Sequence, residues 1–344
     1  MQRFTSRLIR LSLPSVLLCA GPVPTFACAT CGCTLSADAA MGYSVVPGWH
    51  LTIEDDYINQ EQLRGGTSTA SSSQVVNDPS DPALGGGEIE KQTINHYVTM
   101  GLSYSPSSTW NLNLLVPYVA RDHTTYGVQL APYNASESAA DEISGAHVSG
   151  IGDIRLIGSY QGLLPIHNLG LQFGVKLPTG QYGTRVNFSS GPNGGTPLDA
   201  SLQVGTGSTD LIVGAYYYHA VSQDFDAFVN GQFQSAVAHR QDEPGNDYRP
   251  GNSTTMSIGL RYEGSAQALP QLQLNLLRKS PDQGALADRP DTAGTVVYAS
   301  PGLTVRAVQR VYLFGFVQLP VYSKLDGYQL IPRWTATVGA NYAF

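Results

Sequence analysis

From Trp334 to Phe344 the chain alternates. Trp334, Ala336, Val338, Ala340, Tyr342 and Phe344 share one parity, and Thr335, Thr337, Gly339, Asn341 and Ala343 share the other. Successive side chains of an extended strand point to opposite faces, so one face here is apolar and edged by aromatics while the other is small and polar. The pattern recurs. Trp110, Leu112, Leu114, Val116 and Tyr118 oppose Asn111 and Asn113, and Leu169, Leu171, Phe173, Val175 and Leu177 oppose Gln172 and Lys176. Met256, Ile258, Leu260 and Tyr262 oppose Ser257, Gly259 and Arg261, and Leu272, Leu274 and Leu276 oppose Gln271, Gln273 and Asn275. Helical spacing would mix these sets.

Twelve such segments are expected, with cores at 48–59, 93–104, 109–120, 151–161, 168–178, 209–219, 224–235, 253–263, 269–279, 294–304, 310–321 and 332–344. A core of about 11 residues suits a tilted strand crossing roughly 25 Å of hydrocarbon. The connections alternate in length: 105–108, 162–167, 220–223, 264–268 and 305–309 are short, and 60–92, 121–150, 179–208, 236–252, 280–293 and 322–331 are longer. Short inner turns and long outer loops belong to a membrane barrel; a soluble sandwich would not give that alternation. The expected fold is all-β, a transmembrane antiparallel up-and-down barrel of about twelve strands with both termini on one side. Composition agrees. Charged residues are 13%, against about 25% in soluble domains. Mean hydropathy is −0.10, as expected when only alternate side chains meet lipid. The segment around Tyr312, Phe314 and Phe316 is apolar on both faces, because Val311, Leu313 and Val317 fill the other parity. It reads either as an aromatic constriction or as packing inside a narrow lumen.

Arg3, Arg7 and Arg10 precede an apolar run, Leu11 to Ala20, and Thr25-Phe26-Ala27 offers a peptidase site. Residues 1–27 therefore read as a signal peptide, 28–46 as a cysteine-containing periplasmic segment and 47–344 as the barrel. Cleavage removes three arginines and no acid, taking the formal charge from −7 to −10. So acidic a chain excludes a nucleic-acid binder, which needs clustered Lys and Arg. The expected location is the Gram-negative outer membrane. The expected partners are its lipid, a small-molecule solute and, through Tyr342 and Phe344, the barrel assembly machinery.

Inward parity falls on His50, Glu54, Asp56, Asp153, Arg155, Lys176, Asp210, Arg261, Glu263 and Lys279. A Lys or Arg facing lipid at midplane costs about 2–4 kcal/mol, so these residues line the lumen, as a mutually neutralised polar filling or as a selective pore wall. Cys28, Cys31 and Cys33 stand within six residues. They can form a disulfide or assembly handle, hold a soft metal ion such as copper(I) or zinc through thiolates, or, at Cys28, carry a lipid; Phe26 makes a poor lipobox. A tetrahedral zinc site needs four ligands, and His50 is the nearest histidine.

Three stretches, Ser149-Gly150-Ile151-Gly152-Asp153-Ile154-Arg155, Lys176-Leu177-Pro178-Thr179-Gly180 and Gly205-Thr206-Gly207-Ser208-Thr209-Asp210, occur in that order. Together they resemble the transporter-like outer-membrane barrel family labelled "MetA-pathway of phenol degradation", over roughly residues 45–344. The resemblance implies a barrel that passes small, often aromatic or apolar, molecules. Gly152 and Gly207 suit strand starts where backbones crowd or bulge, Asp153 and Asp210 are expected inward beside Arg155 or each other, and Pro178-Thr179-Gly180 ends a strand.

Three function classes follow: a small-molecule channel, a non-conducting structural or metal- and redox-associated barrel using the cysteines, and an outer-membrane hydrolase. The last needs a nucleophile–base pair at the rim. The histidines are His50, His96, His123, His147, His167, His219 and His239; of these His123, His147 and His239 are expected in or near outer loops, and no Gly-x-Ser-x-Gly elbow occurs. No catalysis is expected.

Overall fold

The computed structural model describes residues 46–76, 89–126, 143–189, 195–239 and 247–344. Its strands are β1 (Gly48–Gly66), β2 (Ser68–Thr69), β3 (Ile89–Ser105), β4 (Trp110–Tyr126), β5 (Ile143–Ile151), β6 (Arg155–Tyr160), β7 (Leu169–Lys176), β8 (Arg185–Val186), β9 (Thr196–Pro197), β10 (Thr209–Ala220), β11 (Phe225–Ala238), β12 (Ser253–Tyr262), β13 (Ala268–Lys279), β14 (Gly294–Val308) and β15 (Val311–Ala343). A single short helix, α1 (Ser72–Val76), is present among the described residues, and no helix there is long and apolar enough to cross a membrane.

Neighbouring long strands pair antiparallel from β1 round to β15, and β15 closes on β1 from His50↔Ala343 to Gly66↔Leu325. The expected closed antiparallel barrel is what forms. β15 is one run of extended residues but two staves. Its arm 311–325 pairs with β14, and its arm 328–343 pairs with β1. A Cβ on Gly315 would touch Thr337 and Val338, so the arms also lie side by side. The chain reverses at Asp326-Gly327, where Gly327 adopts a left-handed φ of 60°. Eleven elements make the described ring; with the arms counted apart and β5 and β6 taken as one interrupted stave, the staves number twelve.

Two expectations change here. The connection at 322–331 is strand on both sides of a two-residue turn, because ladder pairing to β14 and β1 continues that far and satisfies the backbone. The stave expected at 151–161 begins at Ile143 and is broken after Ile151. The break has a cause in β4. Tyr118 pairs with Ile151 but Leu115 pairs with Arg155, so one extra residue sits on the β5–β6 side. Pro117, opposite it, lacks the N–H that would point to this neighbour, while its carbonyl still accepts from Gly152 N–H at 2.8 Å. A bulge is where a sheet tolerates such a proline.

The usual inside–outside rule is inverted. Leu272 and Ile258 are more than half exposed, whereas Gln273 is 1% exposed. Transferring one such aliphatic side chain from water to hydrocarbon is worth about 1.5–3 kcal/mol, so this exterior requires lipid. Cross-strand aromatic pairs mark its lower edge, near the short turns: Trp49–Tyr104 (4.5 Å), Trp110–Tyr160 (4.7 Å) and Phe225–Tyr262 (5.2 Å). Tyr57 and Trp334 (5.5 Å) pair farther along β1. Such girdles flank the apolar band of membrane barrels.

Candidate functional site

The bulge after Ile151 starts a knot that gathers all three sequence motifs. The bulge takes Ile154 N–H and Gly152 C=O off the ladder. Thr179 supplies both partners: its hydroxyl oxygen accepts from Ile154 N–H (2.9 Å) and its O–H donates to Gly152 C=O (2.9 Å). Asp153 is thereby turned inward. Its Oδ1 accepts from Gly180 N–H (3.0 Å), and its Oδ2 accepts from Thr206 N–H (3.1 Å), the Thr206 hydroxyl (2.8 Å) and Lys176 Nζ (2.9 Å). Lys176 is buried between Asp153 and Asp210, whose Oδ2 lies 3.3 Å from Nζ. It also donates to Thr206 and, at 3.1 Å, to the Ser208 hydroxyl. Asp210 accepts from Ser208 (2.6 Å) and from Gln234 Nε2 (2.6 Å). Gly180 and Gly205 touch backbone to backbone, where a Cβ on either would overlap the other. The expected partner Arg155 is beside Lys176 in the register, but both carboxylates turn to the lysine.

The knot ties down the base of the 177–208 connection, which crosses the long-loop end of the barrel. On one side Leu198 and Leu202 pack on Val148 of β5. On the other, Ala200 packs with Tyr248 and Ala287, from the connections after β11 and β13. Arg121 of β4 is a strut beneath it. Its Nη1 donates to Ser201 C=O (3.0 Å), its Nη2 to the Tyr97 hydroxyl (2.6 Å) and its Nε to Asn95 Oδ1 (2.5 Å). Arg121 was not among the expected residues, because 121–150 reads as loop; continuing the parity of β4 would have found it.

Below the loop, four inward aromatics each lie across a glycine of the adjoining stave: Tyr216 over Gly170, Phe228 over Gly259, Phe316 over Gly302 and Phe314 over Gly339. A Cβ on any of these glycines would collide with the ring. The rings therefore lie along the wall. This decides the double apolar parity of β15: Phe314 and Phe316 are inward and buried, while Leu313 and Val317 are exposed.

The remaining expected residues are dispersed. Glu54 and Asp56 are buried on β1, where Asp56 accepts from the Thr337 hydroxyl. His50 is at the short-turn end, with Nε2 3.3 Å from Val46 C=O. Arg261 Nε is 2.7 Å from Glu263 Oε1, and Glu263 is exposed in the turn after β12. Lys279 pairs with fully buried Asp282 (2.9 Å) at the long-loop end. His123 lies in β4 rather than a loop, buried with Nδ1 2.8 Å from the Thr93 hydroxyl, and His147 lies in β5, 2.7 Å from Asp122. The strands run farther outward than their apolar cores, which moves both histidines into the sheet. Cys28, Cys31, Cys33 and the signal segment lie outside the described residues.

No family model matches the chain, and no curated protein matches it in sequence. Among solved structures, it is similar to an outer membrane channel from Pseudomonas putida F1 (12% identity, TM-score 0.59), over 88% of this chain and 98% of that one. Also similar, at TM-scores of 0.44 and 0.45, are the Ralstonia pickettii toluene transporter TbuX (11% identity; 87% and 90% covered) and the CymD monoaromatic hydrocarbon channel (12%; 90% and 93%). These likenesses concern the fold.

Proposed function

We propose that this chain is an outer-membrane channel for small molecules, with apolar or aromatic solutes among those it passes. The observation that carries the reading is the arrangement of rings on glycines. It gives the lumen an aromatic wall without driving side chains to the axis. The motif resemblance to transporter-like barrels supports the same reading. In it the short turns face the periplasm, the 177–208 connection covers the outer mouth, and residues 1–27 direct export. Refolded protein in planar bilayers tests it, with and without Ser at Cys28, Cys31 and Cys33. The expected result is KCl conductance and solute flux in both forms. Absence of both would favour a structural barrel, and conductance that changes with the cysteines would bring that segment into the path.

A further inference from the structure

Charges on the outer face of the wall fall into two groups. On β1, β3, β4, β5 and the second arm of β15 they pair with one another: His96 with Asp55 (3.3 Å), His147 with Asp122 (2.7 Å) and Arg333 with Glu61 (3.3 Å). Around β14 they do not. Arg278 of β13 and Lys324 of β15 are exposed, and Thr295 of β14 stands between them, the register partner of both. All three face outward, since their neighbours Leu277, Val296, Ser323 and Leu325 are buried. None of the three side chains makes a hydrogen bond or an ion pair among the described residues. Arg289, in the connection that joins β13 to β14, is also exposed and unpaired there. The acids of this sector do not answer these cations: Asp282 holds Lys279, Asp288 and Asp291 are buried, and Asp326 is exposed in its turn without an ion pair. In a chain of net charge −7, cations left without a carboxylate mark a place whose counter-ion comes from outside the chain.

The row lies where the apolar band stops. Below Arg278 on β13 come exposed Leu274 and Leu272, and below Lys324 on β15 come exposed Tyr322 and Leu319. Arg261 pairs with Gln271, so Tyr262 of the lower aromatic edge is level with Pro270, eight residues before Arg278. At about 3.4 Å per residue and a tilt of about 40°, those residues rise roughly 20 Å, against roughly 25 Å for the whole band. A long cationic side chain covers the remainder by reaching up to the polar level. The backbones of β13 and β15 are two strand spacings apart, about 10 Å. Guanidinium and ammonium can therefore converge on one group above the Thr295 hydroxyl.

We propose that Arg278, Thr295 and Lys324 form an exterior site for a phosphomonoester headgroup of the outer-leaflet glycolipid. The arginine fork matches phosphate oxygens in pairs, the lysine adds a point charge, and the threonine hydroxyl donates from below. The acyl chains of the same lipid lie on Leu272, Leu274 and Tyr322. A headgroup without net charge would leave both cations unmatched. The site rests on the orientation given above, with the short turns in the periplasm, and not on conduction.

Native mass spectrometry of refolded full-length protein in dodecyl maltoside reads how tightly lipid is retained. The probes are diphosphorylated lipid A, the same lipid stripped of its phosphates, and inorganic phosphate. One phosphorylated lipid should be held per barrel, the stripped lipid far more weakly, and inorganic phosphate at equal concentration should displace neither. A cation near an anionic lipid surface is worth about fivefold in affinity. Arg278→Gln and Lys324→Gln should each weaken retention by about that factor, and together by about twenty-five-fold. Arg333→Gln removes the same charge from a cation that is already paired, and should leave retention unchanged. Equal retention of the phosphorylated and stripped lipids overturns the site. So does an equal loss in Arg333→Gln, which would mean a diffuse effect of charge, and so does displacement by inorganic phosphate, which would make the occupant a free anion. KCl conductance of the same protein separates this site from the channel reading. Retention without conductance would remove the channel and keep the site; conductance without retention would do the reverse.

Discussion

Lys176 shows what a single residue can settle in this barrel. It neutralises two buried carboxylates that lie on different staves. Lys176→Ala would leave Asp153 and Asp210 buried without their cation, and removing one partner of a buried pair costs about 3–5 kcal/mol. The expected outcome is a fall of that order in unfolding free energy, measured by urea titration in lipid vesicles; a change within error would mean that water reaches both acids. Gly302 makes the opposite case, a residue that matters for what it lacks. A Cβ there would strike the Phe316 ring, which can escape only by swinging off the wall. Gly302→Ala is therefore expected to lower single-channel conductance with the barrel still folded, and Phe316→Ala to raise it. Inward parity and motif order made Lys176, Asp153 and Asp210 legible in the sequence. That Lys176 and not Arg155 would pair with both acids was not, since strand parity says which face a side chain takes but not which neighbour it meets.

Among the elements, the 177–208 connection depends most on distant parts of the chain. Its base is held by Gly180 against Gly205, where there is no room for a methyl group. Gly205→Ala should detach it, seen as new cleavage sites between 181 and 204 under limited proteolysis while the strands stay protected. Its far side meets the 280–293 connection, where Asp288 is buried. Burial pushes that carboxyl from 3.8 up to about 9, helped by Asp291 beside it and by Asp199 of the 177–208 connection. Between those values the closed arrangement holds a proton that the opened loop releases. Its stabilising effect is complete below about pH 4 and is lost as pH rises through 9. Protease sensitivity of the two connections should accordingly increase from pH 4 to 9, and a flat or reversed profile would count against this packing.

For the molecule as a whole, an apolar exterior and a polar lumen are bounded by a closed ladder, and the long connections lie at one end. Replacing residues 183–203 by a short Gly-Ser linker keeps the ring and the knot. It should raise single-channel conductance and lower thermal stability, since Leu198 and Leu202 no longer pack on Val148 and Arg121 loses Ser201 C=O. Unchanged conductance would show that the restriction lies in the wall, at the level of the rings.

The residues alone specify the barrel: the stave parity, the even number of crossings and, apart from the turn at Asp326-Gly327, the end on which the long connections lie. Lipid and lumen act on every stave in the same way, so their demands repeat locally and can be read residue by residue. The tertiary structure alone decided the rest. Pro117 on β4 sets the break in a stave where the sequence offers Gly152, Asp326-Gly327 turns a chain that would otherwise read as loop, and the 177–208 connection crosses the mouth to meet Tyr248 and Ala287. Each depends on one neighbour brought from far along the chain, and a contact made once leaves no periodic trace.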